Sequence, residues 1–420
     1  MITINRISAC DTDIPIPGSK SLTQRALITA ALAEGDSVIH NPLLSDDTRR
    51  LIEALRSLGA GIDHAGDSLH VTGTGGRLSR PDASLFVGDN GTALRFLVSV
   101  VALAPDCITV DGTDRLRARP IGPLVAALER LGVHCDTGRD GYAPVTVHGG
   151  GIAGGKTFFR DAASSQYISS ILLSAPYAKR PVKIVLMGRT LSRPYLDMTV
   201  DVMRHFGVSV ETGGPDTYVV AAPRLYRGCE YTVESDASSA SYFFLAAALT
   251  GGRVSVHNIS RRTRQGDIRF LDILERVGCR VTWRGNSVEV EGRPLISGDM
   301  DIDMGDMPDM APTAAILAAF RRGSTRITHV PHLRVKESDR IETICSELSH
   351  IGTRAIPRPD GLEIEGSVPH GAIIDTHNDH RIAMSFAIAG LVTGNMIIQD
   401  ERCSDKSFPS FWNTLERLSS

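Results

Sequence analysis

ALITAALAEG, residues 26–35, is apolar on nearly every side of a helix and ends in a glycine that suits a helix terminus. Five later stretches repeat this pattern: LRFLVSVVALA (94–104), ISSILLSAPYA (168–178), SYFFLAAALTGG (241–252), TAAILAAFRRG (313–323) and IAMSFAIAGLVTG (382–394). The small residues that end the six stretches lie 69 to 74 residues apart. A spacing this constant indicates an internal repeat rather than chance recurrence of alanine-rich helices.

Each apolar helix is followed by a second helix with a charged face, of which IEALRSLGAGI (52–62) is the first. Five of these amphipathic helices end where a left-handed glycine cap is expected, at Gly59, Gly132, Gly207, Gly278 and Gly352. Alternating strand patterns such as LHVTGTG (69–75) come next. Each repeat of about 70 residues therefore predicts strand, buried helix, strand, surface helix and two strands. The chain as a whole is predicted to be an α/β protein of six βαβαββ units.

The two ends of the chain indicate how the six repeats are divided between two domains. The sixth repeat stops at its second helix, FWNTLERL (411–418), whereas ITINRI (2–7) is a strand pattern without a repeat of its own. We infer that the N-terminal strand completes the last repeat. Residues 1–16 and 234–420 then form one domain of three repeats, and residues 17–233 form an inserted domain of three. Two connecting strands, near Ile16 and Tyr231–Ser235, predict a hinge.

Composition narrows the function classes. The 420 residues are 42% hydrophobic, which suits two domains, and the formal net charge of −3 favours neither nucleic acid nor an anionic membrane as a partner. The seven cysteines are scattered without a CxxC pair, which predicts reduced thiols rather than disulfides or a zinc framework. The sequence shows no signal peptide and no apolar run of about 18 residues. We therefore expect a cytoplasmic protein.

The loops before the six apolar helices are rich in small, hydroxylic and charged residues. They read GSKSLTQR (18–25), GDNGTALR (88–95), DAASSQY (161–167), ESDASSAS (234–241), DMPDMAPT (306–313) and THNDHR (376–381). Any single loop is explained by helix capping. Because equivalent helices run parallel, however, their N-termini should emerge on one face of each domain, where backbone N–H groups attract anions. Two such faces, closing through the hinge, predict a cleft that binds anions.

The loops before the surface helices add positive charge. They read RLRARP (115–120), SRPY (192–195), RVKESDR (334–340) and SDKSFP (404–409). In the third loop, Lys336, Glu337 and Arg340 have the spacing of one helix face, and Arg334 adds to a positive excess. Cationic loops in a slightly acidic protein favour a ligand with several negative charges.

Seven motifs occur in a characteristic order: PGSKS (17–21), GTALR (91–95), SSQY (164–167), SRPY (192–195), LRVKESDR (333–340), NDHRIAM (378–384) and DKSFP (405–409). With them the chain resembles, almost from end to end, the EPSP synthase family of enolpyruvyl transferases. The resemblance implies an inside-out α/β barrel of two domains, with three βαβαββ units in each and a two-strand hinge. It also implies a role in the shikimate pathway of chorismate and aromatic amino-acid biosynthesis. We expect a monomer without metal or cofactor.

The reaction that the resemblance implies is transfer of the enolpyruvyl group of phosphoenolpyruvate to the 5-hydroxyl of shikimate 3-phosphate. Phosphate is released from a tetrahedral intermediate. Both substrates are polyanions, so their joint burial requires fixed cations, and the chemistry requires a general base and a general acid.

The residue roles implied by the resemblance fall into three groups. Shikimate 3-phosphate would be bound by Lys20, Ser21, Arg25, Ser164, Ser165, Gln166, Ser192, Tyr195, Asp309, His332 and Lys336. Phosphoenolpyruvate would be bound by Lys20, Gly91, Arg119, Gln166, Arg340, Arg381 and Lys406. Asp309 is the expected base and Glu337 the expected proton donor, with Lys20 as rival or partner. The sequence leaves the identity of the acid open.

Three alternatives remain at this point. UDP-N-acetylglucosamine enolpyruvyl transferases rely on a cysteine in a mobile loop, but the corresponding stretch DGTDRLRARPIG (111–122) contains none. A metal hydrolase would have to use His377, His380 and Asp379, a set without a further histidine or cysteine in place to complete it. A non-catalytic anion-binding homologue would be expected to have lost the acid and base residues, which are present here.

Overall fold

Six copies of one βαβαββ unit account for the regular structure of the chain. The computed structural model describes residues 1–162, 164–188, 192–214 and 216–418. The strands are β1 (Ile2–Ile4), β2 (Asp11–Ile14), β3 (Asp36–His40), β4 (Gly61–Ala65), β5 (Ser68–Thr72), β6 (Leu85–Phe86), β7 (Ile108–Asp111), β8 (Cys135–Thr137), β9 (Val145–Val147), β10 (Gly155–Arg160), β11 (Val182–Met187), β12 (Val210–Thr212), β13 (Thr217–Val220), β14 (Glu230–Thr232), β15 (Arg253–His257), β16 (Arg280–Arg284), β17 (Ser287–Glu291), β18 (Met300–Asp303), β19 (Ser324–Thr328), β20 (Arg354–Arg358), β21 (Gly361–Glu365), β22 (Ile373–Ile374) and β23 (Met396–Ile398).

Apart from the four-residue helix α4, the helices alternate between a buried and a surface class. They are α1 (Lys20–Leu32), α2 (Asp46–Ser57), α3 (Gly91–Val100), α4 (Asp114–Arg117), α5 (Gly122–Glu129), α6 (Ser165–Ser174), α7 (Pro194–His205), α8 (Ala237–Thr250), α9 (Phe270–Arg276), α10 (Ala311–Phe320), α11 (Arg340–His350), α12 (His380–Thr393) and α13 (Phe411–Glu416). Short 3₁₀ segments connect several of them, and three of these segments bear on the site: Pro308–Met310, Pro331–Val335 and Glu401–Lys406.

The chain divides into two units, each with its own apolar core. Gly18–Val233 forms one of them, here called the continuous unit. Met1–Pro17 together with Glu234–Ser420 forms the other, here called the split unit. The polypeptide therefore passes from one unit to the other twice, after Pro17 and after Val233.

Five of the six sheets have the same four-stranded topology. In the sheet β18-β19-β21-β20, the first two strands are parallel and the other neighbours are antiparallel. The order strand, helix, strand, helix, strand, strand expected from the repeat is confirmed. The other four-stranded sheets are β14-β3-β5-β4, β6-β7-β9-β8, β10-β11-β13-β12 and β2-β15-β17-β16.

The sixth sheet is completed by the N-terminal strand. β22 and β23 are parallel, and β1 pairs with β23 in antiparallel register, Ile2 opposite Ile398. β1 thus takes the place that the last strand of each repeat occupies in the other sheets. The two connecting strands, β2 and β14, also pair with strands that are distant in the sequence. β2 supplies the first strand of the sheet that contains β15, and β14 supplies the first strand of the sheet that contains β3.

The apolar helices lie inside each unit because no side of them is polar enough to face water. α1, α3 and α6 contact one another in the continuous unit, as do α8, α10 and α12 in the split unit. Where the second trio meets, one hydroxyl from each helix forms a chain: Ser241 Oγ lies 3.4 Å from Thr313 Oγ1, which lies 3.5 Å from Ser385 Oγ. Each hydroxyl thereby has a polar neighbour in an apolar core.

The glycine caps expected at the ends of the surface helices are confirmed. All five glycines expected to end surface helices have positive φ, between 81° and 104°. All seven cysteines, which lie within the described residues, are free thiols. A search of the described residues for a helix long and apolar enough to cross a membrane finds none.

Candidate active site

The N-termini of α1, α2 and α3 lie close together near Lys20 and Asn90 in the continuous unit. Lys20 is the first residue of α1, and its Nζ lies 3.1 Å from the Asp47 carboxylate at the start of α2. Asn90 caps α3 by accepting hydrogen bonds from the N–H groups of Thr92 and Ala93. Its Nδ2 donates to the main-chain oxygen of Asp47 at 2.7 Å. The expected convergence of helix N-termini is therefore present in this unit.

Two guanidinium groups meet at Gly91, the first residue of α3. A Cβ atom on Gly91 would lie 3.0 Å from Nη1 of both Arg95 and Arg119, so a larger residue would have to displace both guanidinium groups. Arg119 was expected in the site, whereas Arg95 was not assigned a role by the sequence analysis. Arg95 is buried, and its guanidinium lies 5.3 Å from the centre of the Tyr167 ring. The helix terminus and the two arginines create a positive field at one point.

The start of α6 lies beside the start of α3. Ser164 caps α6 by accepting from the N–H of Gln166 at 3.3 Å. The Gln166 amide then donates to Thr92 Oγ1 at 2.9 Å and accepts from Arg95 Nη1. Ser165 is the buried first residue of the same helix. Gln166 therefore connects the predicted serine pair to the arginines at Gly91.

Arg25 is buried inside the continuous unit and links α1 to α7. Its guanidinium donates to Thr199 Oγ1 at 2.8 Å, Ser169 Oγ at 3.3 Å and the main-chain oxygens of Ser21 at 2.9 Å and Tyr195 at 3.2 Å. All these acceptors are neutral, and no carboxylate of the described residues forms an ion pair with this guanidinium. Burial lowers the pKa of Arg25 to about 10. A buried cation in neutral surroundings favours an anionic ligand.

Ser192 stands where the chain turns into α7. Its φ of 59° places the backbone in the left-handed region, an uncommon conformation for a serine. The Ser192 main-chain oxygen accepts from the N–H of Tyr195 at 3.2 Å, and Tyr195 in turn accepts from Arg25. Hydrogen bonds thus link Arg25 to Ser21 and Tyr195, and Gln166 to Ser164 and Arg95. We refer to Lys20, Arg25, Gly91, Arg95, Arg119 and Gln166 as the cationic cluster.

The split unit contains a denser arrangement, in which Asp309 is central. One Asp309 oxygen accepts from Arg340 Nη1 at 3.0 Å and lies 3.7 Å from Lys336 Nζ, and the other accepts from Arg381 Nη2 at 2.8 Å. Asp309 belongs to the 3₁₀ turn directly before α10, where a capping residue is common, but α10 has no side-chain cap among the described residues. The carboxylate is directed to three cations instead.

Arg340 connects Asp309 to two further carboxylates. Its side chain is only 1% exposed and donates to Asp379 through Nε at 2.7 Å and to Glu337 through Nη2 at 2.7 Å. Glu337 also lies 3.4 Å from Lys406 Nζ. Asp379 additionally caps α12 by accepting from the N–H of Arg381 at 3.0 Å. We refer to Asp309, Glu337 and Asp379 with Lys336, Arg340, Arg381 and Lys406 as the carboxylate cluster.

Two features of the loop 334–340 differ from expectation. Lys336 and Glu337 do not lie on a helix face, because α11 begins only at Arg340, with Asp339 as its cap. Arg334 contributes no positive excess, since its Nη1 donates to Asp339 at 2.9 Å and to Glu342 at 3.0 Å. The irregular backbone still brings Glu337 to Arg340, so the predicted pair forms by a different geometry.

His332 and the residues of the alternative metal set belong to segments that adjoin members of this cluster in the sequence. His332 is buried in the 3₁₀ segment Pro331–Val335, just before Lys336. The alternative metal set is not assembled, because Asp379 is engaged by Arg340, and His377 Nε2 lies 3.4 Å from Glu347. Asp379 caps its helix as the sequence indicated.

Opposing effects set the charge of the central carboxylate. Burial raises the pKa of Asp309, but Arg381, Lys336 and Arg340 outweigh burial and hold it well below its usual range. Asp309 is therefore a carboxylate at neutral pH, the form that a general base requires. The same three cations that stabilise the negative charge of Asp309 also make it a weaker base.

A second buried carboxyl group belongs to Asp267, which the sequence did not indicate as a site residue. Its Oδ2 accepts from Ser238 Oγ, and its Oδ1 has no hydrogen-bond partner among the described residues. Burial, followed by the negative charge of Asp309, raises the pKa of Asp267 to about 7. Ser238 also lies 3.5 Å from Arg381 Nη2, so Asp267 is linked to the carboxylate cluster through one hydroxyl. The DIRF motif (267–270) gives no local sign of this role.

The raised pKa of Asp267 predicts a pH-dependent stability. In the unfolded chain this carboxyl group has a pKa of about 3.9. Between pH 4 and 7 the folded state therefore binds more protons than the unfolded state. Stability contributed by this group is complete below the unfolded pKa and is lost as the pH rises through about 7. Asp267→Asn cannot ionise, and at pH 8 we expect it to raise the free energy of unfolding by on the order of 2 kcal/mol. The gain should shrink towards pH 4.

Denaturant unfolding at pH 5 and pH 8 measures this difference. Asp301→Asn, the same change at an exposed position on β18, is the matched control and should show no pH-dependent gain. A loss of stability in Asp267→Asn at pH 8, or a gain equal at both pH values, would contradict the assignment.

Comparisons with known proteins identify the family of the chain. A family model described as EPSP synthase (3-phosphoshikimate 1-carboxyvinyltransferase) matches residues 4–415. A protein of Syntrophobacter fumaroxidans named 3-phosphoshikimate 1-carboxyvinyltransferase is 45% identical over 424 residues, covering 100% of this chain and 99% of the relative. A protein of that name from Methanosphaerula palustris is 42% identical over 420 residues, covering 98% of each chain.

Solved structures give the same result for the fold. The 2.37 Å structure of EPSP synthase from Acinetobacter baumannii superimposes with a TM-score of 0.84 at 29% sequence identity, covering 99% of this chain and 97% of that one. The family model, the relatives and the solved structure thus lead to one assignment. This chain belongs to the EPSP synthase (3-phosphoshikimate 1-carboxyvinyltransferase) family of enolpyruvyl transferases.

Proposed function

We propose that the chain transfers the enolpyruvyl group of phosphoenolpyruvate to the 5-hydroxyl of shikimate 3-phosphate, and that both clusters serve this reaction. The observation that carries the proposal is the carboxylate cluster, where three acidic and four basic side chains occupy neighbouring positions. Permanent cations for anionic substrates and carboxyl groups for proton transfer are what the chemistry requires.

The cationic cluster suits the binding of shikimate 3-phosphate. Arg25 already has four neutral acceptors and no carboxylate among the described residues, so the carboxylate of the substrate would supply its missing counter-charge. Ser164, Ser165 and Ser192 lie at the starts of α6 and α7, where hydroxyls and backbone N–H groups are suited to a phosphate. Ser21, Gln166 and Tyr195 adjoin this group through Arg25 and Arg95. We assign Asp309, His332 and Lys336 of the split unit to the same substrate.

Phosphoenolpyruvate needs cations for both its phosphate and its carboxylate. We assign Lys20, Gly91, Arg119 and Gln166 from the cationic cluster to this substrate, and Arg340, Arg381 and Lys406 from the carboxylate cluster. Arg95 is added to this set, since its guanidinium and that of Arg119 meet at Gly91. Paired guanidinium groups suit bidentate capture of phosphate better than lysines do.

The proton transfers are assigned to two carboxylates. Asp309 accepts the proton of the 5-hydroxyl as its oxygen forms a bond to C2 of phosphoenolpyruvate. A proton from Glu337 converts the methylene at C3 into a methyl group, which gives the tetrahedral intermediate. In the second step Glu337 takes a proton back from the methyl group, the double bond forms again, and the C2–O bond to phosphate breaks. Asp309 gives its proton to the departing phosphate, so both carboxyl groups return to their starting state.

Substrate binding would also adjust the basicity of Asp309. The three cations that lower its pKa are among those assigned to the substrates. When anionic groups share Arg340, Arg381 and Lys336, the net positive field at Asp309 falls, and its pKa rises towards its usual range. The base would therefore become stronger when both substrates are bound.

Phosphate release from the purified chain tests the proposal. With shikimate 3-phosphate and phosphoenolpyruvate together we expect steady release of one phosphate per enolpyruvyl group transferred, and none when either substrate is omitted. UDP-N-acetylglucosamine in place of shikimate 3-phosphate should give no release. A folded chain that is inactive with the first pair would support the non-catalytic alternative, and activity with the nucleotide sugar would support the other.

Two finer points belong to the same proposal. We expect the enzyme to act as a monomer, because the residues assigned to both substrates come from one chain. We also propose a cytoplasmic location, which the seven free thiols support.

A further inference from the structure

A row of potential metal ligands crosses the sheet β6-β7-β9-β8, and none of its residues belongs to either cluster. In the register of β8 and β9, Cys135 lies opposite Val147, so the preceding His134 lies opposite His148. In the register of β7 and β9, Ile108 lies opposite Val147, so Cys107 also lies opposite His148. Alternate residues face the same side of a sheet, which places Asp136 on the face of His134.

The side chains of this row contact one another on the exposed face. His148 Nε2 lies 2.7 Å and His134 Nε2 3.6 Å from the Asp136 carboxylate. The imidazole rings have their centres 4.5 Å apart, and one nitrogen of each ring and one carboxylate oxygen all lie within 4.8 Å of one another. Among the described residues, this is the one group of three potential ligands so arranged.

We propose that His134, Asp136 and His148 form a surface site for a borderline divalent cation such as Zn²⁺. Two imidazoles and one carboxylate are the donor set that zinc accepts, with water completing a tetrahedral shell. Opposed residues on neighbouring strands hold their Cβ atoms about 5 Å apart, a spacing at which two imidazoles reach one ion. The main chain fixes this spacing, since the N–H of His148 donates to the His134 carbonyl at 2.9 Å.

Cys107 is a positioning residue for this site. Its Sγ lies 3.3 Å from His148 Nδ1, on the side of the ring away from Asp136. A ligating histidine commonly donates its second ring N–H to a neighbouring acceptor, which orients the ring and fixes its tautomer. The Cys107 sulfur is in place to accept that proton, leaving Nε2 for the ion.

Zinc titration of the untagged full chain by calorimetry tests the site. We expect one Zn²⁺ bound per chain and an affinity at least about tenfold weaker in His134→Ala and His148→Ala, since loss of an orienting partner alone often costs that much. His64→Ala, the same change at an exposed histidine on β4 of the neighbouring sheet, is the matched control and should bind as the wild type does. Absence of stoichiometric binding by the wild type, or an equal loss in the control, overturns the proposal.

Cobalt substitution separates ligation by Cys107 from positioning. Co²⁺ bound by nitrogen and oxygen should give visible ligand-field bands without a sulfur-to-metal charge-transfer band, and Cys107→Ala, which removes the acceptor, should keep one ion per chain with about tenfold weaker affinity. A sulfur charge-transfer band, or unchanged affinity in Cys107→Ala, overturns the positioning role. Circular dichroism of each variant confirms that binding changes are not due to unfolding, and phosphate release is not used as a readout.

Discussion

Replacement of Asp309 by asparagine is expected to lower kcat by about 1,000-fold, within the range that a general base contributes. Asparagine keeps the shape of the side chain and one oxygen that can accept from Arg340 or Arg381, but it cannot take the proton of the 5-hydroxyl. Removal of a negative charge from among three cations should leave the affinity for the anionic substrates unchanged or higher. The effect should therefore appear in kcat and not as a raised KM.

Steady-state kinetics of phosphate release measures both quantities. Asp301→Asn, an exposed residue of the preceding strand, is the control for the chemical change and should retain wild-type kinetics. If Asp309→Asn keeps more than about a tenth of the wild-type kcat, another group is the base. A raised KM with an unchanged kcat would instead make Asp309 a binding residue only.

The fold was predictable from the sequence because its main signal is a long-range period. Six apolar helices at a spacing of 69 to 74 residues predict six copies of one βαβαββ unit. ITINRI at the N-terminus supplies the strand that the last repeat lacks. Helix caps were predictable as well, because Asn90, Ser164 and Asp379 act on N–H groups two or three residues away. Local chemistry of this kind is visible in the sequence.

The partners of the charged side chains were not predictable in the same way. Arg334 and Lys336 look alike in the sequence, yet Arg334 is neutralised by Asp339 and Glu342, whereas Lys336 faces Asp309. That difference depends on where α11 begins, and a propensity argument does not locate helix boundaries so closely.

Contacts between strands and segments that are far apart in the sequence could not be predicted either. The raised pKa of Asp267 requires its burial beside Asp309, 42 residues further along the chain. The row of Cys107, His134 and His148 exists only through the registers of three strands. A one-residue shift in either register would turn these side chains to the opposite face.

The second large effect is expected for Glu337→Gln, which should lower kcat by about 100- to 10,000-fold with a small change in KM. Glutamine can still accept from Arg340 Nη2, so the geometry of the carboxylate cluster is retained, but it cannot donate a carboxyl proton to the methylene of phosphoenolpyruvate. The Lys406 Nζ lies 3.4 Å from the other oxygen of Glu337. Glu275→Gln, at an exposed position on α9, is the matched control.

Hydrogen exchange distinguishes Glu337 from its rival, Lys20. Reversible protonation of the methylene in D₂O introduces deuterium into phosphoenolpyruvate recovered before complete turnover, so deuterium incorporation reports on the acid itself. We expect Glu337→Gln to abolish this incorporation. Lys20→Arg keeps a positive charge opposite Asp47, 3.1 Å from Lys20 Nζ in the wild type, and should raise KM while leaving incorporation measurable. The reverse pattern, with incorporation lost in Lys20→Arg and retained in Glu337→Gln, would transfer the role of acid to Lys20 and leave Glu337 as a group that holds Arg340 and Lys406 in position.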